Sequence, residues 1–148
     1  MVNIRMHTML GTSHSWAVTM RSIATEMINL GNQVDLRSSN GTKGIPDDLL
    51  KLIKSEKNPA DIDVCYTLPK NFKRRFSSKS RVKAAIYNYE TSIIPQEWKS
   101  SCEFVDFVLP SSEFSKQIFL NNGWPKDKLV VVPLGINPDL FLDNRVCK

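Results

Sequence analysis

The feature that most constrains the fold is a strand, turn, helix and strand pattern in the last third of the chain. Two near-continuous apolar runs, 105–109 and 129–132, flank a polar turn and an amphipathic segment that ends at Gly123. Such runs are typical of strands that are covered on both faces, as in a parallel sheet. A glycine after an amphipathic segment favours a helix end. The pattern therefore predicts two neighbouring parallel strands joined by a helix.

Earlier parts of the chain repeat this alternation. Strand-like runs lie at 2–10, 33–38, 62–68 and 83–89, and helical patterns lie at 20–28, 46–53 and 95–104. Together they predict an α/β fold with a Rossmann-like, doubly wound and mostly parallel sheet of about six strands, with helices on both faces. At 148 residues the chain has the size of one domain.

The cysteines indicate neither a disulfide framework nor a metal site. Cys65, Cys102 and Cys147 are odd in number, far apart in sequence, and form no Cys-x-x-Cys pair. Only two histidines are available to help them bind a metal. We therefore expect a reducing, cytoplasmic location and no metal.

The positive charge of the chain is local. Lys and Arg total 20 against 15 Asp and Glu, but segment 70–83 holds seven cations and no acid. Four of these cations, Lys70, Lys73, Arg74 and Arg75, form a candidate patch for binding a membrane or an anion. Phe72 and Phe76 lie four residues apart, so one helical turn could present both rings to a bilayer and the cations to anionic lipid. The alternative is a solvated loop whose phenylalanines pack inward, and nucleic-acid binding is disfavoured because no known motif accompanies the run.

Four loops follow strands that should end at one edge of the sheet, where open α/β sheets bind ligands. The first, with Gly11, Thr12, Ser13 and His14, joins a glycine and hydroxyls to a helix N-terminus, which favours a phosphate or a sugar hydroxyl. It lacks the Gly-x-Gly-x-x-Gly spacing, and this disfavours a dinucleotide site. A plain capped turn would explain the loop equally well.

The other three loops carry candidate residues of different kinds. Glu90, followed by Thr91, comes after the fourth predicted strand, where it could act as a base or accept hydrogen bonds from substrate hydroxyls; the alternative is a surface acid. Ser111 and Ser112 open a helix, for which N-capping alone is a sufficient explanation. Gly135 lies between prolines, in a sharp turn that could also approach a ligand.

Four segments in combination resemble the N-terminal half of the family 4 glycosyltransferases, retaining enzymes of the GT-B fold. They are the first loop with the helix that ends in Leu30-Gly-Asn-Gln-Val34, the segment Tyr89–Trp98, the segment Val105–Ser115, and Val131-Val-Pro-Leu-Gly-Ile136. Members of this family use nucleotide-sugar donors. The resemblance therefore implies sugar transfer to a glycan or lipid acceptor, with no permanently bound cofactor.

The resemblance also implies roles for individual residues. Gly11 would lie where the first loop of the family meets the donor phosphates or the acceptor. Glu90 would take the catalytic position after the fourth strand, and Ser111 and Ser112 would line the cleft. Gly135 would precede the crossover to a second domain.

The resemblance divides the chain into an acceptor-side domain, 1–141, and a segment, 142–148, that is either a tail or the start of a linker to a second domain. In the family, the second domain holds the nucleotide and neutralises the leaving diphosphate, and this sequence has no counterpart of it. We therefore expect the chain to be catalytically silent alone, with a donor-binding half as its partner. An exposed apolar flank at 134–141 could also drive association between copies.

Two other interpretations stay open. A non-catalytic binding or regulatory module would keep the fold but gain no activity when the second half is supplied. An unrelated small α/β enzyme that uses Glu90 or His14 would act without a nucleotide sugar.

Overall fold

The computed structural model of the protein describes residues 1–11, 13–53, 59–76 and 79–136. Its strands are β1 (Asn3–Thr8), β2 (Gln33–Ser38), β3 (Ile62–Tyr66), β4 (Val82–Ile86) and β5 (Phe107–Leu109). All are parallel and form one sheet in the order β2-β1-β3-β4-β5. The α/β class and the parallel, Rossmann-like sheet are confirmed.

Helices connect these strands. They are α1 (Ser15–Asn29), α2 (Asp47–Leu50), α3 (Phe72–Arg75), α4 (Gln96–Lys99) and α5 (Glu113–Asn121). Short 3₁₀ turns lie at Pro69–Asn71, Ser100–Phe104 and Lys126–Lys128. Gly31 after α1 and Gly123 after α5 both have φ of 80°, the left-handed conformation that glycine adopts without strain. Both glycines therefore end their helices as predicted.

The strand order opens a crevice at one edge of the sheet. β1 lies in the interior, where Ile4 pairs with Val34 of β2 on one side and with Ile62 of β3 on the other. The chain leaves β1 toward β2 but leaves β3 toward β4, in the opposite direction. Loops that diverge in this way leave space at the carboxyl ends of the two strands.

Helices pack on both faces of the sheet and form two apolar clusters. Met20 of α1 packs with Met6 of β1 in the first cluster. Phe72 of α3 and Phe119 of α5 pack with Val108 of β5 in the second. Successive side chains of a strand face opposite sides of a sheet, so each cluster takes alternate residues of the strands.

Charged side chains also lie within the sheet. Arg5 Nε donates to Asp35 Oδ2 at 3.1 Å, and the two residues are only 4% and 7% exposed. His7 Nε2 lies 2.8 Å from Asp63 Oδ1, a close polar contact that is not an aligned hydrogen bond. The other oxygen of Asp63 accepts from Ser80 Oγ at 3.2 Å. Partners of this kind are what make buried charges tolerable.

The predicted sixth strand, 129–132, is an extended segment beside β5. Val130 N donates to Val108 O at 3.0 Å, and Val132 N donates to Pro110 O at 2.9 Å. Leu129 forms a single parallel bridge with Val108. Because Val130 and Val132 are 44% and 45% exposed, the segment follows the sheet edge without being covered on both faces. The described sheet therefore has five strands, and this segment accounts for the difference from about six.

Candidate functional site: the carboxyl-edge pocket

A cavity of about 210 Å³ lies at the carboxyl ends of β1 and β3. It is lined by His7, Thr8, Met9, Trp16, Ser39, Cys65, Tyr66, Thr67, Leu68, Asn71 and Arg75. Most of these residues lie in β1 or β3, or directly after β1, β2 or β3. Trp16 belongs to α1, and Asn71 and Arg75 belong to the turn and helix that follow β3. Distant parts of the sequence therefore meet at this cavity. The cavity occupies the crevice where open α/β sheets bind ligands. We call it the carboxyl-edge pocket.

An aromatic wall forms one side of this pocket. Trp16 stacks on Tyr66, with ring centroids 5.1 Å apart and an angle of 19° between the planes. Tyr87 meets Trp16 edge-on at 6.4 Å, and His14 meets it edge-on at 5.2 Å. Contacts of this geometry are favourable and hold large rings in place. The wall offers flat apolar surface together with the polar tips of Trp and Tyr side chains.

Asn88 joins the wall to the neighbouring strands, and the sequence analysis missed it. Its Nδ2 donates to the Tyr66 hydroxyl at 3.3 Å, and its Oδ1 accepts from Ser111 N at 2.8 Å. Residues after β4 and β5 are thereby tied to the end of β3. The sequence feature that indicates a role for Asn88 is its position between two tyrosines at the end of an apolar strand.

The four predicted patch cations divide into two groups. Lys70, Lys73 and Arg74 are exposed, and Lys73 Nζ lies 5.7 Å from the centroid of the Phe104 ring. Arg75 is half-buried and lines the carboxyl-edge pocket. Arg75 therefore belongs to the pocket, whereas the other three belong to the surface.

The two phenylalanines of the basic segment do not form a membrane anchor. Phe72 is fully buried, and Phe76 packs against the same apolar cluster, with the two ring centroids 5.8 Å apart. The arrangement in which both rings enter a bilayer is therefore wrong, because the spacing of four turns the rings toward the core. The inward-packed alternative describes the two side chains.

A glycine is required at position 11 because backbone atoms of another loop approach this position closely. A Cβ atom at this position would lie 2.6 Å from Lys43 O, which is far inside van der Waals contact. Gly11 N also donates to Asn40 Oδ1 at 3.4 Å. The absence of a side chain thus lets the first loop pack against the turn after β2.

The rest of the first loop caps α1. His14 is the N-cap residue, and its Nδ1 accepts from Trp16 N at 3.2 Å. Ser13 and His14 are exposed, and neither lines the pocket. Thr12 lies outside the described residues. The loop therefore contributes to the pocket mainly by placing Trp16.

Glu90 is exposed, but its charge acts on the aromatic wall. Burial raises the pKa of Tyr66 and of Tyr87, and the Glu90 carboxylate raises both further. Glu90 thus lies near the tyrosines, although it does not line the pocket itself. Thr91 Oγ1 donates to Ile93 O at 3.3 Å, which satisfies the hydroxyl within its own loop.

The serines after β5 have structural contacts. Ser111 N donates to Asn88 Oδ1, so this residue adjoins the pocket through its backbone. Ser112 Oγ accepts from Ser115 N at 3.1 Å and caps α5. Capping, which the sequence left open as a sufficient explanation, accounts for the position of Ser112.

Gly135 lies at a different cavity, which we call the apolar groove. The groove has a volume of about 310 Å³ and is lined by Ile4, Met6, Ile23, Met27, Ile62, Val64, Ile86, Leu109, Val132, Pro133, Leu134 and Gly135. It lies between α1 and the segment that follows β5. Leu134 and Ile136 beside it are 41% and 75% exposed. The expected exposed flank is thus present as far as residue 136, and residues 137–141 lie outside the described part.

Cys65 at the base of the pocket is a neutral thiol. Burial raises its pKa, which outweighs the lowering effect of the Arg75 charge. The thiolate is the nucleophilic form of cysteine, so a nucleophilic role for this residue is disfavoured. Across the described ranges, no cluster of three or more His, Cys, Asp or Glu could hold a metal ion. No helix within those ranges is long and apolar enough to cross a membrane.

Two solved structures share this fold. The crystal structure of Anabaena Alr3699/HepE in complex with UDP matches with a TM-score of 0.61 at 14% identity, covering 95% of this chain and 46% of that one. Its complex with UDP and glucose matches with a TM-score of 0.57 at 12% identity, with the same coverage. No protein-family model matches the chain, and no curated protein matches its sequence. The chain therefore has the fold of about half of Alr3699/HepE.

Proposed function

We propose that these residues form the acceptor-side half of a glycosyltransferase whose donor is a nucleotide sugar. The observation that carries the proposal is the fold shared with part of Alr3699/HepE, which was crystallised with UDP and with UDP and glucose. The motifs that resemble family 4 enzymes support a retaining member of the GT-B class. The acceptor would be a sugar, a glycan or a glycolipid.

The carboxyl-edge pocket suits one sugar unit of an acceptor. Its volume of about 210 Å³ is smaller than the range of roughly 300–1,000 Å³ that is usual for drug-sized ligands. The rings of Trp16 and Tyr66 can contact the C–H face of a sugar, while hydroxyl and amide groups around them can bond its hydroxyls. An apolar wall with a few polar groups is the usual composition of a small-molecule site.

Glu90 is our candidate for the catalytic carboxylate. It follows β4, and its charge is felt by both Tyr66 and Tyr87, so it lies beside the aromatic wall. Retaining transfer develops positive charge at the anomeric carbon and negative charge on the departing phosphate, and both must be stabilised. A carboxylate near the acceptor would favour the first and could orient the attacking hydroxyl.

The second charge, on the departing phosphate, must be stabilised by cationic or hydrogen-bond-donating groups. We propose that a donor-side half supplies them, and that the 148 residues alone do not transfer sugar. Without stabilisation of the leaving phosphate, the rate would fall on the order of thousands-fold or more. The proposal concerns half of such an enzyme, since the match covers 46% of Alr3699/HepE.

A binding titration with ¹⁵N-labelled protein tests the proposal. Adding monosaccharides and short glycans should shift the Trp16 indole and Asn88 side-chain amide signals, and the shift of the Trp16 signal should be weaker in Asn88→Ala. Asn121→Ala is the matched control, because Asn121 is exposed and its Oδ1 accepts from Gln117 Nε2 within α5, away from the pocket. If no sugar shifts these signals, the proposed acceptor site is wrong.

A transfer assay tests the half-enzyme part of the proposal. The chain is incubated with a panel of nucleotide sugars and acceptors, and release of the nucleoside diphosphate is measured. We expect no release above the uncatalysed level. Robust transfer by the chain alone would contradict the assignment of donor stabilisation to another half.

A further inference from the structure

We infer that the carboxyl-edge pocket binds an acceptor that carries an anionic group, a phosphate or a carboxylate, through Arg75. This inference rests on the proposed function and specifies the chemical class of its acceptor. Three observations carry it: the Arg75 guanidinium has no partner among the described residues, the pocket lining contains no acid, and some neighbouring polar groups are committed to other bonds.

Arg75 is held at the pocket without a partner among the residues that the structure describes. Phe72, three residues earlier on α3, is fully buried and fixes this helical turn against the core. The half-buried Arg75 guanidinium makes no hydrogen bond or ion pair with any residue in the described ranges. A partly desolvated cation without a partner gains from an anionic ligand, and the planar guanidinium matches carboxylate and phosphate oxygens.

No acid of the pocket lining neutralises this charge. None of the lining residues is Asp or Glu. Asp63, the acid in contact with His7, is fully buried and accepts a hydrogen bond from Ser80. Cys65 stays a neutral thiol, because burial raises its pKa. The lining is therefore cationic, with Arg75 as the strongest hydrogen-bond donor.

Several neighbouring polar groups are already committed. Thr8 Oγ1 donates to Tyr66 O at 3.1 Å, and Asn71 Nδ2 donates to Thr67 Oγ1 at 3.1 Å. These bonds shape the pocket and occupy part of its uncharged donors, whereas no hydrogen bond to a described residue occupies the donors of the Arg75 guanidinium. The first turn of α1, which places Trp16 on the wall, contains no acidic residue and adds the positive end of a helix dipole.

The surface cations of the same segment provide the control. Lys70 is exposed and does not line the pocket. Its charge is open to water and salt, so its attraction for a small anion is screened and unspecific. Lys70→Gln removes the same unit charge as Arg75→Gln, five residues away, without changing the pocket.

The test is an NMR titration of the ¹⁵N-labelled chain with glucose 6-phosphate, glucuronate and glucose. We expect both anionic sugars to bind about ten- to hundredfold more tightly than glucose, the range for a charged hydrogen bond. Arg75→Gln should abolish this preference, Lys70→Gln should keep it, and Arg75→Lys should restore part of it. Retained dispersion of the amide spectrum shows that each variant is folded.

Vesicles distinguish a lipid headgroup from a soluble acceptor. The chain is mixed with phosphatidylcholine vesicles that contain phosphatidylglycerol, at moderate salt, and bound protein is separated by flotation. Binding that requires Arg75, tolerates Lys70→Gln and is displaced by glucose 6-phosphate assigns the pocket to a lipid phosphate. Preference for anionic sugars without vesicle binding assigns it to a soluble acceptor.

Two outcomes would overturn the inference. Glucose could bind as tightly as glucose 6-phosphate, or Arg75→Gln could leave the preference for anionic sugars unchanged. In either case a neutral sugar that still shifts the Trp16 signal leaves the proposed function intact. Failure of every sugar to bind would instead contradict the proposed function.

Discussion

Asn88 Nδ2 donates to the Tyr66 hydroxyl at 3.3 Å, and the Oδ1 of the same side chain accepts from Ser111 N at 2.8 Å. One amide thus connects residues at the ends of three neighbouring strands. Tyr66 in turn stacks on Trp16, so the position of the aromatic wall depends on this amide.

We expect Asn88 and Tyr66 to be energetically coupled. Asn88→Ala should lower the free energy of unfolding by about 1–3 kcal/mol, because Ser111 N loses its acceptor, and Tyr66→Phe should lower it by about 1 kcal/mol. The double variant should cost less than the sum, with a coupling of about 0.5–1.5 kcal/mol. Urea unfolding of the four proteins measures these values. Strict additivity would show that the hydrogen bond contributes nothing.

The buried carboxylate of Asp35 should be among the most sensitive positions. Its Oδ2 accepts from Arg5 Nε at 3.1 Å and from Arg37 Nη2 at 3.2 Å. Asp35→Ala removes the carboxylate that these cations contact and should cost about 3–5 kcal/mol. Arg81→Ala is the control, because the Arg81–Asp61 contact is 3.8 Å long with Arg81 81% exposed, and it should cost at most about 0.5 kcal/mol. Similar losses in both variants would contradict the role of burial.

Stability should fall at alkaline pH through the tyrosines. Burial raises the pKa of Tyr66 and Tyr87 above the ordinary 10.0, so the unfolded chain releases these protons at a lower pH than the folded one. Above about pH 10 the free energy of unfolding should therefore fall as the pH rises, by at most about 1.4 kcal/mol per pH unit for each residue. Thermal unfolding between pH 8 and 11 measures the slope. Tyr87→Phe should flatten it, and an unchanged slope would exclude Tyr87 as a source.

Gly11 and Gly135 should respond differently to the same substitution. Gly11→Ala places a Cβ 2.6 Å from Lys43 O, so backbone must move, and we expect a loss of about 1–3 kcal/mol. At Gly135 no heavy atom of the described residues lies within 4 Å of the corresponding position. Gly135→Ala should therefore be neutral or stabilise by up to about 1 kcal/mol. Melting temperatures of the two variants decide, and equal losses would argue against a steric cause at Gly11.

Much of the fold could be predicted from local patterns. The spacing of Met20 and Ala24 places both on the buried stripe of α1, and Gly31 supplies the left-handed residue after it. The strand-like runs at 2–10, 33–38, 62–68, 83–89 and 105–109 each overlap one of the five parallel strands. Segment 129–132 is as apolar as 105–109 but runs along an edge, because composition does not say which neighbours a strand has.

The pocket could not be predicted, because it depends on strand order. Tyr66 and Trp16 lie 50 positions apart and meet only because β1 and β3 are adjacent. The sequence places Arg75 in the same surface patch as the neighbouring cations, because a run of cations does not show that one of them faces a pocket. Spacing put Phe72 and Phe76 on one side of a helical turn, but only the packing of α3 decides whether that side meets water or core.

The strand order has a consequence for how the molecule could change over time. The hydrogen bonds between β1 and β3 hold the sheet together, whereas much of the lining of the adjoining crevice comes from turns such as 67–71. Exchange of a few turn positions would alter which molecules are accepted while the hydrogen-bonded scaffold persists. Recognition could thus diversify among descendants faster than architecture.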